Sequence, residues 1–129
     1  MGRRCDPYLT LNRYFYYSRT MEISESLEIF ASLSQETRLK IFKLLIEYGK
    51  DGLIPGKIAE ELHIPNNTLS FHLSHMNKAG LVTSEKNGRS LTYFANTSLI
   101  QNLIGFLQEN CCVKEKSKSS AKKQEKKCF

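Results

Sequence analysis

The 129-residue chain is long enough for one modest domain and too short for two comfortable ones. It holds no apolar run of about 18 residues, which excludes a membrane-spanning helix. The net charge of +6 sits in the ends: residues 1–20 contribute +3, residues 21–113 contribute −2 and residues 114–129 contribute +5. An anionic partner must therefore be recognised by a few placed groups in the middle of the chain, with the ends adding a diffuse, salt-sensitive attraction.

The basic start Met1-Gly2-Arg3-Arg4 is followed by no apolar run and no small-residue cleavage site, so the cytoplasm is the expected location. Residues 1–20 carry Tyr8, Tyr14, Phe15, Tyr16 and Tyr17 without a sustained period. Two readings stand for this extension: translation starting at Met21, or an arm packing on the domain or a partner. From Met21 to Cys112 the pattern is that of a folded domain. Ile23, Leu27 and Phe30 fall four and three residues apart, predicting a helix over 22–33 with one apolar face. Ser34 is a candidate cap for the next helix, where Leu39, Phe42, Leu45 and Ile46 form the core row as far as Tyr48, and Gly49 stops it.

The stretch from Ile54 to Gly80 reads as two short helices joined by a tight turn. Pro55 suits a first helical turn, Ile58, Ala59 and Leu62 give an apolar side, and His63-Ile64-Pro65 break the helix. Asn66 is a candidate cap for the second helix, whose buried stripe is Leu69, Leu73 and Met76. That pairing has the form of a DNA-reading helix-turn-helix. Beyond Gly80 two extended segments, 81–85 and 90–95, flank Lys86-Asn87-Gly88-Arg89, whose Asn-Gly pair favours a hairpin turn. A hairpin there is a wing. The expected fold is mainly α with a β-hairpin wing, a winged helix-turn-helix.

Ser98 is a candidate cap for the last helix, which runs to about Asn110 and is apolar at Leu99, Ile100, Leu103, Ile104, Phe106 and Leu107. So wide a stripe predicts burial in a homodimer, alongside the 22–33 helix, which would present two recognition helices to two half-sites. Residues 113–129 are rich in Lys, Ser, Gln and Glu and are expected to be a basic, disordered tail.

The recognition helix carries Asn67, Thr68, Ser70, Phe71 and Ser74 away from its buried stripe, and these are the candidate DNA contacts. Amides and hydroxyls pair with base edges or phosphates, and a phenyl ring packs against a thymine methyl. A solvated polar face accounts for the hydroxyls but not for Phe71. Lys86 and Arg89 at the tip of the wing are candidate contacts to phosphates or the adjacent minor groove, Lys57 and Arg38 are weaker candidates for phosphate contacts, and His72 reads as a hydrogen-bonded boundary residue. The thiols are Cys5, Cys111, Cys112 and Cys128, and none lies inside the expected core, which argues against a disulfide-stapled fold. Adjacent Cys111 and Cys112 offer two soft donors for a soft or borderline ion, with Cys128, or less directly Cys5, as a third. Oxidation and a zinc site are the alternatives. No nucleophile and base fall into a recognisable catalytic motif, so an enzyme is not expected.

The run from Leu33 to Tyr93, with SLSQETRLKIFKLL, IAEELHIPNNTLSFHLSHMNKAGLV and NGRSLTYF, resembles the ArsR/SmtB family of winged-helix metalloregulatory repressors. Together with FLQENCC it is most similar to the arsenite-responsive branch with a C-terminal cysteine pair. The resemblance implies a homodimer that binds double-stranded operator DNA without any cofactor. It also implies an As(III) or Sb(III) inducer that binds Cys111, Cys112 and a third thiolate and releases the DNA of an arsenic-resistance operon. No cysteine lies between Cys5 and Cys111, so the family's site on the first helix of the helix-turn-helix is absent.

Overall fold

The computed structural model describes residues 21–116. The aromatic N-terminal stretch, Cys5, Cys128 and most of the lysine-rich tail lie outside the described residues. The chain divides into two units, residues 22–100 and a second made of residues 1–21 and 101–129. No helix among the described residues is long and apolar enough to cross a membrane.

In the first unit, α1 (Ile23–Leu33) starts where the Glu25 carboxylate accepts from the Glu22 backbone N–H at 3.2 Å, part of a capping box. Its buried face is Ser26, Ile29 and Ser32, whereas Ile23, Leu27 and Phe30, the expected apolar face, are 66%, 59% and 41% exposed. Within a protomer Ile29 and two serines face inward, and Ile23, Leu27 and Phe30 are left in water. α2 (Glu36–Tyr48) is capped by Gln35, whose side-chain oxygen accepts from the Arg38 N–H at 2.9 Å. Ser34, the expected cap, instead donates to the Ala31 carbonyl at the end of α1. The buried row of α2 is Arg38, Ile41, Phe42 and Leu45; Leu39 and Ile46 are exposed. As the expected core helix, α2 packs against α1, the helix-turn-helix and the wing.

The helix-turn-helix is α3 (Pro55–Leu62) followed by α4 (Asn66–Lys78), with His63 in the left-handed region at φ 55° making the break. Pro65, not Asn66, occupies the N-cap position of α4: its extended backbone leaves its carbonyl to accept from the Leu69 N–H at 2.9 Å. Leu69, Leu73 and Met76 are buried, and with Ile58 of α3 they fill the core between the two helices.

The wing pairs β1 (Val82–Asn87) with β2 (Ser90–Ala95) antiparallel, Asn87 opposite Ser90. The two turn residues are therefore Gly88 and Arg89, one place beyond the expected Asn-Gly pair, and Gly88 takes φ +66°. Glycine at the first central position suits a two-residue hairpin turn. A third segment, Leu53, bridges to Tyr93 through both backbone bonds, at 3.0 and 2.8 Å. Its neighbour Gly52 has φ +64°, and a Cβ there would lie 2.6 Å from the Tyr93 carbonyl oxygen and the Phe94 ring. α5 (Thr97–Gln108) starts under Asn96, whose side-chain oxygen accepts from the Leu99 N–H at 3.3 Å while its amide donates to the Gly80 carbonyl at 2.9 Å. Asn96 thus does the capping expected of Ser98.

In the second unit, Leu103 and Gly105 are buried and Ile104 and Leu107 are exposed. Cys111 and Cys112 follow the helix in a turn.

Candidate nucleic-acid interface and thiol pair

At roughly 100° per residue, Phe71 lies about 140–160° around α4 from the buried Leu69, Leu73 and Met76. Asn67, Ser74 and Lys78 share that outward side, Thr68 and Ser70 flank it, and all of them are exposed. Phe71 is 64% exposed in the midst of polar neighbours. Arg89 is exposed in the turn of the wing. Lys57 on α3 is exposed and pairs with Glu60 at 3.5 Å, a contact worth little in water.

Arg38 is not at the surface. It is 9% exposed, its Nε donates to the Ser32 carbonyl at 2.8 Å, and its Nη1 lies 3.3 Å from His72 Nδ1. Since a guanidinium only donates, Nδ1 must accept, which keeps the imidazole neutral. Burial first, then the Arg38 and His75 charges, hold the His72 pKa below its ordinary 6.5. Alongside, the Ser32 hydroxyl lies 3.3 Å from His75 Nδ1. The end of α1, the start of α2 and the middle of α4 are thus joined by one polar cluster. His72 is hydrogen-bonded as expected, whereas Arg38, expected as a surface cation, is buried. The signal was its spacing, since residues 38, 41, 42 and 45 share one face of α2. His72 also meets the Phe71 ring edge-on, with centroids 5.7 Å apart at 64°.

Cys111 and Cys112 are both exposed, unbridged thiols with their sulfurs 3.2 Å apart. Hydrogen bonding to Cys111, then to Glu115, pushes the Cys112 thiol up to about 11. The described residues contain no group of three His, Cys, Asp or Glu side chains placed to hold a metal ion. Cys128, the expected third ligand, lies outside them.

A core helix carrying a helix-turn-helix with a solvent-facing second helix, followed at once by a β-hairpin, defines a winged helix-turn-helix. Residues 33–85 match the family model described as a helix-turn-helix domain. An HTH-type transcriptional regulator of Methanocaldococcus jannaschii is 37% identical over 82 residues, which cover 64% of this chain and 90% of that one. The transcriptional repressor SdpR of Bacillus subtilis is 32% identical over 79 residues, 61% of this chain and 84% of the repressor. Among solved structures, an ArsR-like transcriptional regulator from Rhodococcus sp. RHA1 superposes with a TM-score of 0.56 at 29% identity, covering 66% of this chain and 78% of that one. The chain belongs to the winged helix-turn-helix transcriptional regulators, in a family related to the ArsR/SmtB-like regulators, and is a DNA-binding protein rather than an enzyme.

Proposed function

We propose that this chain is a homodimeric transcriptional repressor that holds double-stranded operator DNA and releases it when the Cys111–Cys112 pair is chemically modified. The observation that carries the reading is the exposed outward side of α4 in a chain whose relatives regulate transcription. In this reading Asn67, Thr68, Ser70, Phe71 and Ser74 meet the major groove, while Arg89 and Lys57 meet phosphates. The domain comprises residues 21–112, with 113–129 a basic tail that adds salt-sensitive attraction. Ile23, Leu27 and Phe30 on α1, and Ile104 and Leu107 on α5, are apolar rows that a second copy covers. Burying one such side chain contributes about 1.5–3 kcal/mol.

The effector acts on the thiols. Two exposed, unbridged sulfurs 3.2 Å apart are placed to be joined by an oxidant. A peroxide takes two electrons from the pair: the S–S bond forms, the O–O bond breaks, and the two thiol protons leave in two waters. Adjacent Cα atoms across a trans peptide are about 3.8 Å apart, below the usual disulfide range, so that bond is strained and readily reversed. A second reading, an As(III) or Sb(III) inducer of an arsenic-resistance operon, is favoured by the same short sulfur–sulfur distance, which lets both donors reach one soft ion; Cys128 would supply the third thiolate.

The test is DNA binding by the reduced protein, titrated separately with peroxide, arsenite and zinc, and repeated with Cys111→Ser/Cys112→Ser. Release by peroxide alone, lost in the double variant, supports the redox reading. Release by arsenite establishes the second reading, and binding indifferent to every effector removes the cysteines from the mechanism.

A further inference from the structure

We infer that Phe71 reads the C5-methyl group of a thymine in the major groove, its ring held by the buried Arg38–His72 pair. This deepens the proposed function and rests on α4 being the element that enters DNA. Phe71 is 64% exposed and points away from the core row, so its ring contributes little to the protomer's own burial. Its ring is therefore free to meet a group outside the protomer. The side chains sharing its face, Asn67, Ser74 and Lys78, are all polar, so the face offers one isolated apolar contact rather than the continuous apolar patch that a protein partner buries.

In the major groove the thymine methyl is the one apolar group displayed; the other base edges present donors and acceptors that a phenyl ring would desolvate without pairing. A ring that reads a single methyl must be held in place. Its edge-on contact with the His72 ring, 5.7 Å between centroids, supplies the hold. His72 is in turn fixed by Arg38 Nη1 at 3.3 Å, and Arg38 by the Ser32 carbonyl at 2.8 Å. Phe71 is thus the specificity-determining contact, and Arg38 and His72 are positioning residues that act through it.

The experiment uses the reduced full-length chain and a duplex selected by it from a random library. Each thymine of the duplex is replaced in turn by uracil, which removes the methyl and leaves every hydrogen-bonding group. One thymine per half-site should bind about fourfold more weakly as uracil, the worth of one buried methyl. In F71A the thymine and uracil duplexes should bind alike, and in H72Q the ratio should fall while affinity for the uracil duplex changes little. A purely structural role for His72 would lower both affinities together and leave the ratio intact, which overturns the positioning part. No uracil effect at any position, or a thymine preference that survives in F71A, overturns the inference and leaves DNA reading standing. A folded protein that binds no duplex at low salt removes both.

Discussion

Replacing Arg38 by Met keeps an unbranched stem of similar reach and deletes the guanidinium. Two bonds are lost, to the Ser32 carbonyl at 2.8 Å and to His72 Nδ1 at 3.3 Å, in a site only 9% exposed. Hydrogen bonds from a charged donor contribute about 1.5–3 kcal/mol each, and removing the charge returns part of its desolvation cost. The net loss should be about 2 kcal/mol, which for a domain of this size lowers Tm by about 8–16 °C. Thermal unfolding should be followed by circular dichroism at one fixed protein concentration, because association with a second copy makes Tm concentration-dependent. Arg38→Lys should lose most of the same stability, since an ammonium cannot span both acceptors. Lys40→Met, which removes only an exposed 3.0 Å pair with Glu36, should change stability by less than about 0.5 kcal/mol. An Arg38→Met protein as stable as the wild type would refute the view that this cluster ties α1 and α2 to the recognition helix.

Three further outcomes follow from the same structure. Because the fold holds His72 neutral below its ordinary 6.5, the unfolded chain takes up the proton first as pH falls; stability is fully present above that value and declines as the pH drops beneath it. Denaturant midpoints should show that decline in the wild type and a shallower one in His72→Gln. Gly52→Ala should cost at least about 2 kcal/mol in chemical unfolding, because φ +64° and contacts of 2.6 Å leave its Cβ no room without breaking the Leu53–Tyr93 bridge. Leu27→Glu, on the exposed row of α1, should convert the dimer to a folded monomer in sedimentation, and an unchanged dimer would remove that row from the interface.

The helix-turn-helix was legible because two local signals agree there: Leu69, Leu73 and Met76 repeat at helical spacing, and Pro55, Ile64-Pro65 and Gly80 punctuate it. The helix α1 was legible as an element but not in its orientation. Periodicity marks an apolar row without saying whether a protomer's own core or a second copy covers it, and the inward set pairs one apolar residue, Ile29, with two serines, Ser26 and Ser32, that carry no hydrophobic signal. Cap positions shifted by one or two residues for a similar reason. Ser34, Asn66 and Ser98 are all chemically able to cap, and tertiary contacts, such as the bond from Asn96 to Gly80, decide which neighbour does. Leu53 pairs through its backbone alone, which leaves no side-chain pattern to read. For Arg38 the charge points to the surface while the spacing with Ile41, Phe42 and Leu45 points inward, and the spacing prevails because the Ser32 carbonyl and His72 accept from the guanidinium. The thiol pair was visible at once, whereas the hydrogen bonding that raises Cys112 depends on the turn that sets its sulfur against Cys111.

The central claim is that the exposed side of α4 grips duplex DNA. The most direct measurement is fluorescence anisotropy of a library-selected duplex titrated with reduced wild-type protein and with Ser70→Glu/Ser74→Glu, which places two carboxylates on that side without touching the core. The wild type should bind saturably, with affinity falling steeply as salt rises, and the double variant should bind at least about 100-fold more weakly while unfolding at the same temperature. Equal affinity of the two proteins, or no binding by a folded wild type at low salt, would contradict the account.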